Sequence, residues 1–420
     1  MTPKKRSARW LAYLAVLGPG VLAASAGNDA GGIATYSQAG AAHEFQLLWL
    51  LFIITFALIV VQEISARMGA VTGKGLSDLI RENFGVRWAL LAMLALSLAN
   101  FFVATANIAG ISVALAIVGI PPIISVPVVV LGLLLLLTRG SYYIVERGLL
   151  LLAALFLAYP IAALTLQPQW GTVFQSMFVP SSQWLGIEAG RFNPGFLTLA
   201  IALIGTTIAP WMTFFLQSSI VDKGVRKQDL SLRRFDVIAG AISANVVAFF
   251  IIVTTAAALY PTPINDVADA ATALRTLVGG AAPYLFGAGL LGASILGTAA
   301  VPLTTAYAVT EAFGWERGLD HRINQAPLFF GLLIGTLGLA SIVVLATPHD
   351  LLLALILFSQ FINGMLVPII LVFMVLLSNN RRLMGEYTNS KTFNAIAWGT
   401  IILVTIMTAI WFVMTVLRVG

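Results

Sequence analysis

Apolar runs of about 20 residues, separated by short polar gaps, recur along the whole 420-residue chain. Each is long enough to cross roughly 30 Å of hydrocarbon as a helix. Eleven segments are predicted: 10–41, 46–66, 88–118, 121–138, 145–166, 195–220, 236–260, 282–312, 326–346, 351–377 and 393–417. Turn and loop chemistry separates them at 66–87, 167–194 (with Pro168, Pro180 and Pro194), 222–235, 261–281 and 378–392. None of these loops is long enough to make a separate domain, so residues 1–420 read as one all-α integral membrane unit.

Charge then fixes how the segments alternate, because Lys and Arg stay on the cytoplasmic side of a membrane far more often than chance. With Lys4, Lys5, Arg6 and Arg9 inside, alternate loops gather the basic residues. They are Arg67, Lys74, Arg81 and Arg87; Arg139 and Arg147; Lys223, Arg226, Lys227, Arg233 and Arg234; Arg317 and Arg322; and Arg381, Arg382 and Lys391. That set holds 20 of the 23 basic residues, with Arg191, Arg275 and Arg418 outside it. A wrong segment count would mix the two sides, so the split supports eleven crossings, the N-terminus inside and the C-terminus outside. It also explains the formal charge of +6 as topology and leaves no argument for nucleic-acid binding.

Composition agrees, with 59% hydrophobic residues, 10% charged residues and a mean hydropathy of +0.96. The lack of cysteine excludes disulfides, thiolate metal sites and thiol redox chemistry. A competing reading of the first segment is a secretory signal peptide, with KKR, an apolar run and ASA at 24–26. Gly18-Pro19-Gly20 interrupts that run and argues against it.

Ionisable groups at bilayer depth are expensive and mark function by default. Of the 17 acidic residues, Glu63, Glu146 and Glu311 fall near the cytoplasmic ends of segments and nearly all the others in loops, which leaves Asp29 near the midplane. No His, Lys or Arg occupies a segment centre, and His43, His321 and His349 sit at ends or in loops. A carboxylate with no intramembrane basic partner is available to an imported cation.

The chain around Asp29 reads ASAGNDAGGIATYSQAG. Gly27, Gly31 and Gly32 each weaken a helix by up to about 1 kcal/mol relative to Ala, and together they predict a break. Unwound backbone at this depth is tolerated where it lines a cavity. Close helix packing would explain the glycines but not the aspartate. Segment 6 supplies a second break at IGTTIAPWMTFFLQSS, where Pro210 removes a backbone donor in mid-segment. Segments 1 and 6 are five apart. That spacing predicts a 5+5 inverted repeat, 10–166 and 195–377, followed by one extra helix at 393–417, with helices 1 and 6 discontinuous and facing each other across the substrate site as in the LeuT-like fold.

With these residues the chain resembles the NRAMP family (natural resistance-associated macrophage protein) of divalent-metal transporters over most of its length. The family's helix 1 pattern D-P-G-N-I-A-T…Q-A-G is met by Asp29-Ala30-Gly31-Gly32-Ile33-Ala34-Thr35 and Gln38-Ala39-Gly40. The loop VTGKGLSDLIRENFG at 71–85, Ser359-Gln360 in segment 10, and SNNRRLMGEYTNS at 378–390 are similar to family stretches. The departures fall on the site that the resemblance implies. The family's metal-binding Asn is Gly32 here, its helix 6 Met is Ala209, and the helix 6 His linked to proton movement is Trp211. The acidic positions of a helix 3 proton path are Ala104 and Asn107.

A thioether favours transition metals, and Ala209 removes it. What remains is one carboxylate with carbonyl and amide oxygens, a donor set that suits Mg²⁺, which dehydrates reluctantly and keeps several waters. The pattern resembles the NRAMP-related magnesium transporters (NRMT), a bacterial branch of the family. That resemblance implies a bacterial cytoplasmic membrane protein importing largely hydrated Mg²⁺, and also Mn²⁺, by alternating access without proton coupling. No enzymatic activity, cofactor or obligate protein partner is expected; the ion is substrate and the bilayer is solvent. Gln360 is expected as a third liganding group, with Gly27, Thr206 and Thr207 contributing carbonyls. Asn100 and Asn107 line the path or bond neighbouring helices, and Trp211 packs.

Met212 and Asn28 stay open as inward-pointing groups that would make the site softer and smaller. The other readings are a proton-coupled Mn²⁺/Fe²⁺ importer of the same family, an organic-substrate permease, whose anionic substrate Asp29 would repel, and a metal-sensing receptor.

Overall fold

The structure, a computed structural model, describes residues 27–139, 158–179, 187–188, 191–225, 227–319 and 321–417. The first half of segment 1 and most of segment 5 therefore lie outside the described residues. The helices in chain order are α1 (Ala30–His43), α2 (Leu48–Thr72), α3 (Leu76–Phe84), α4 (Val86–Ala116), α5 (Pro122–Arg139), α6 (Ala158–Leu166) and α7 (Trp170–Phe178). After a two-residue antiparallel ladder, Ile187–Glu188 with Arg191–Phe192, come α8 (Pro194–Thr207), α9 (Pro210–Asp222), α10 (Leu230–Leu259), α11 (Ala282–Phe313), α12 (Pro327–Ala346), α13 (Leu352–Ser378) and α14 (Lys391–Leu417).

Among the described residues, eight helical stretches are long and apolar enough to cross a membrane, with α8 and α9 together forming one of them. Side chains such as Leu94, Ile123, Val128, Ile342 and Phe412 stand exposed on the outside of the bundle, as expected of a surface whose solvent is hydrocarbon. Asp29, Asn107 and Gln360 are buried within it.

Several expected loops are partly helical. The 66–87 loop contains the last turns of α2 and all of α3, and α10 starts at Leu230, inside the expected 222–235 loop. The reason is visible at Arg67. A charge there reads as the end of a span, yet the side chain turns inward to Glu63 at 3.0 Å, while Arg234 of α10 reaches the same carboxylate at 2.7 Å. Arg67 also donates to the carbonyl of Tyr387 and to Asn389 Oδ1. With its charge paired in this way, the helix continues.

Among the described residues, these and neighbouring contacts join the basic loops that follow α2, precede α10, follow α11 and precede α14. Glu311 near the end of α11 accepts from Ser77 at 2.7 Å and lies 3.7 Å from Arg317, and Asn380 donates to Asn83. Elsewhere, the Ile264 amide donates to Gln38 of α1, and His349 lies 3.4 Å from Asp266. The N-terminal basic cluster and the segment between Arg139 and Arg147 lie outside the described residues.

Candidate functional site

Asp29 ends the non-helical stretch Gly27–Asp29 and caps α1. One carboxylate oxygen, Oδ1, accepts the Gly32 amide at 3.0 Å, as an N-cap should. The other, Oδ2, accepts Asn107 Nδ2 of α4 at 2.7 Å. Asn107 also takes the Ala30 amide on its Oδ1 at 3.3 Å and gives its second N–H to the Val103 carbonyl. The carboxylate is 3% exposed and forms no ion pair with a Lys, Arg or His among the described residues. Its position is therefore fixed from two helices at once.

The second break is built by Pro210. Ile208 and Ala209 leave the helical conformation, with Ala209 extended (φ −64°, ψ 131°), and α9 restarts with Pro210 at its first position. Because Pro210 has no N–H, the Thr206 carbonyl has no partner four residues on. The carbonyl of Gly205 loses its helical partner as well, and Asn363 Nδ2 of α13 donates to it at 2.6 Å. Thr207 Oγ1 donates to Leu203, so the Tyr36 hydroxyl of α1, 3.0 Å away, is the donor between that pair.

Glycines bring the two breaks and α13 together. A β-carbon at Gly32 would run into the Gly27 carbonyl and sit 3.2 Å from Thr206 Oγ1. A β-carbon at Gly31 would fall on the side-chain amide of Gln360, which donates to Ser359 at 3.2 Å. Gly205 and Gly364 let α8 and α13 cross in direct backbone contact, since a β-carbon on either would strike the other helix's main chain.

Of the residues expected from the sequence, Asp29, Gly32, Thr206 and Gln360 meet at this junction. Asn107, expected as a path or packing residue, bonds directly to Asp29. Asn28 gives its amide N–H to the Ala244 carbonyl of α10 at 3.1 Å. Ala209 is buried, and its carbonyl accepts the Met212 amide at 3.1 Å, so it contributes space rather than a donor atom. Met212 and Trp211 fall in the first turn of α9; Trp211 is 1% exposed and stacks edgewise on Phe215, a packing role. Ala104 is buried on α4. Asn100 donates to Thr305 of α11 at 2.7 Å, an interhelical bond rather than a contact to the site. The residue that sequence reasoning missed is Asn363.

No group of three or more His, Cys, Asp or Glu side chains gathers among the described residues. A helix interrupted at Ile208–Ala209 inside an apolar helical bundle, packed against the start of α1 where Asp29 is the capping carboxylate, is the arrangement of a broken-helix membrane transporter. Residues 20–415 match the profile described as natural resistance-associated macrophage protein-like, and the chain belongs to the Nramp family.

The chain is 29% identical over 437 residues to the divalent metal cation transporter MntH of Ralstonia nicotianae, covering 97% of this chain and 92% of that protein. It is 28% identical to MntH of Klebsiella pneumoniae subsp. pneumoniae, covering 93% and 92%. Among solved structures, the Eremococcus coleocola manganese transporter in complex with an aromatic bis-isothiourea substituted compound superposes with a TM-score of 0.77 at 21% identity, over 96% of this chain and 86% of that one. MhsT in complex with L-phenylalanine gives 0.57 at 17% identity, over 94% and 97%. The LeuT-like architecture expected from the two breaks is the fold that these structures share.

Proposed function

We propose that this protein carries divalent metal ions across the membrane by alternating access, with largely hydrated Mg²⁺ as the main substrate and Mn²⁺ also accepted, and without proton coupling. The observation that carries this reading is the donor set at the two breaks: one carboxylate, Asp29, among amide, hydroxyl and carbonyl oxygens, with Ala209 where a thioether would select softer ions. Ala104, Asn107 and Trp211 hold no proton to exchange at the positions where the family resemblance expects titratable groups. The driving force is then the ion gradient plus the membrane potential, about 4.6 kcal/mol per 100 mV for a divalent cation.

The test is uptake of Mg²⁺ and of Mn²⁺ into proteoliposomes with internal pH recorded alongside, for the wild type, Asp29→Ala and Ala209→Met. Mg²⁺ entry without acidification, lost in Asp29→Ala, is the expected result. Ala209→Met is expected to shift the preference toward Mn²⁺. Entry of Mn²⁺ with protons would instead establish the proton-coupled Mn²⁺/Fe²⁺ importer, and entry of Mn²⁺ alone would overturn the Mg²⁺ preference.

A further inference from the structure

Asn363 lies within α13, a 27-residue apolar helix, and is fully buried (0% exposed). Its Nδ2 is committed to the Gly205 carbonyl at 2.6 Å, and its Oδ1 is buried and accepts no hydrogen bond. The level of that side chain in the bundle follows from the crossing it belongs to. The backbones of Gly205 and Gly364 touch, and the Gly205 carbonyl points along α8 toward its C-terminal end, so the side chain that reaches it lies level with the Ile208–Ala209 break. A buried amide oxygen without a donor is left desolvated with nothing to offset it. One at a helix break beside free carbonyls is suited to a cation or its water shell.

We propose that Asn363 is a specificity-determining residue of the ion site. Its Nδ2 occupies the Gly205 carbonyl, while the Thr206 carbonyl, whose helical partner Pro210 has no N–H, stays available at the break, and its Oδ1 supplies, from α13, a side-chain amide oxygen that position 32 of α1 cannot supply. A substituent at Gly32 would collide with the Gly27 carbonyl, so the amide comes from the opposite wall. The inference rests on the divalent-ion reading of Asp29.

The experiment measures the concentration dependence of Mg²⁺ and Mn²⁺ uptake in proteoliposomes for the wild type, Asn363→Leu, Asn363→Asp and Asp29→Ala, with thermal unfolding of each purified protein. Asn363→Leu removes both polar atoms and is expected to raise KM at least tenfold. Asn363→Asp keeps an oxygen and adds charge, and is expected to lower KM at least fivefold while slowing the maximal rate. If KM stays within twofold of wild type in both variants while rate or unfolding temperature falls, Asn363 only caps Gly205 and the proposal is overturned. A rise in KM in both overturns the ligand role as well. Should Asn363→Leu not fold, the KM of Asn363→Asp decides alone. If Asp29→Ala transports with wild-type KM, the reading of the whole site fails; if it is inactive while the Asn363 variants keep wild-type KM, only this inference fails.

Discussion

At the scale of single residues, the site is shaped as much by missing side chains as by present ones. The family resemblance places an amide at position 32, yet the Gly27 carbonyl fills the space that a side chain there would need. Gly32→Asn is therefore expected to lower uptake of Mg²⁺ and Mn²⁺ together, by about tenfold or more, rather than exchange one preference for the other. Initial rates for both ions at saturating concentration check this. Gly31→Ala is expected to act through Gln360, whose side chain would have to vacate its place. Asp29 and Gly32 stood out in the sequence because a carboxylate among glycines contradicts the apolar segment around it. Asn107 stood out as a departure from the family pattern and as a path or packing residue, and its 2.7 Å bond to Asp29 required the relative placement of α1 and α4.

At the scale of elements, proline and glycine made the second break readable. Pro210 predicts by its chemistry alone that Thr206 loses a partner, and α8 and α9 part there. The α8–α13 crossing was not readable, because glycines in apolar helices occur at lipid-facing positions as well as at contacts. Gly205 and Gly364 meet backbone, whereas Gly335 and Gly399 meet nothing. Gly364→Ala is expected to destabilise the protein by roughly 1–3 kcal/mol through overpacking, while Gly335→Ala is neutral or stabilising by up to about 1 kcal/mol. Thermal unfolding in detergent separates the two. Asn363 escaped notice for a related reason: one amide in a long apolar helix reads as interhelical bonding until its neighbour is known.

At the scale of the whole molecule, described basic loops that lie far apart in the chain are joined through ion pairs, and the Glu63–Arg67 pair among them is buried in the fold. Glu63 sits between Arg67 and Arg234, and Arg67 in turn donates to Asn389, so the group ties α2, α10 and the segment before α14 together. Glu63→Ala would leave Arg67 buried and unpaired, and a loss of roughly 3–5 kcal/mol is expected, seen as a lower unfolding temperature with little change in the KM of the protein that remains folded. The bonds to Asp29 have a larger meaning for a carrier that works without a coupled proton. Such a carrier must return empty, moving a bare carboxylate through a medium in which an unpaired charge is costly. On the uncoupled reading proposed above, the Gly32 and Asn107 N–H groups that bond Asp29 would stand in for the departed ion on that return leg. Removing one of them, as in Asn107→Leu, should slow net uptake far more than one-for-one ion exchange, in which the carrier never travels empty.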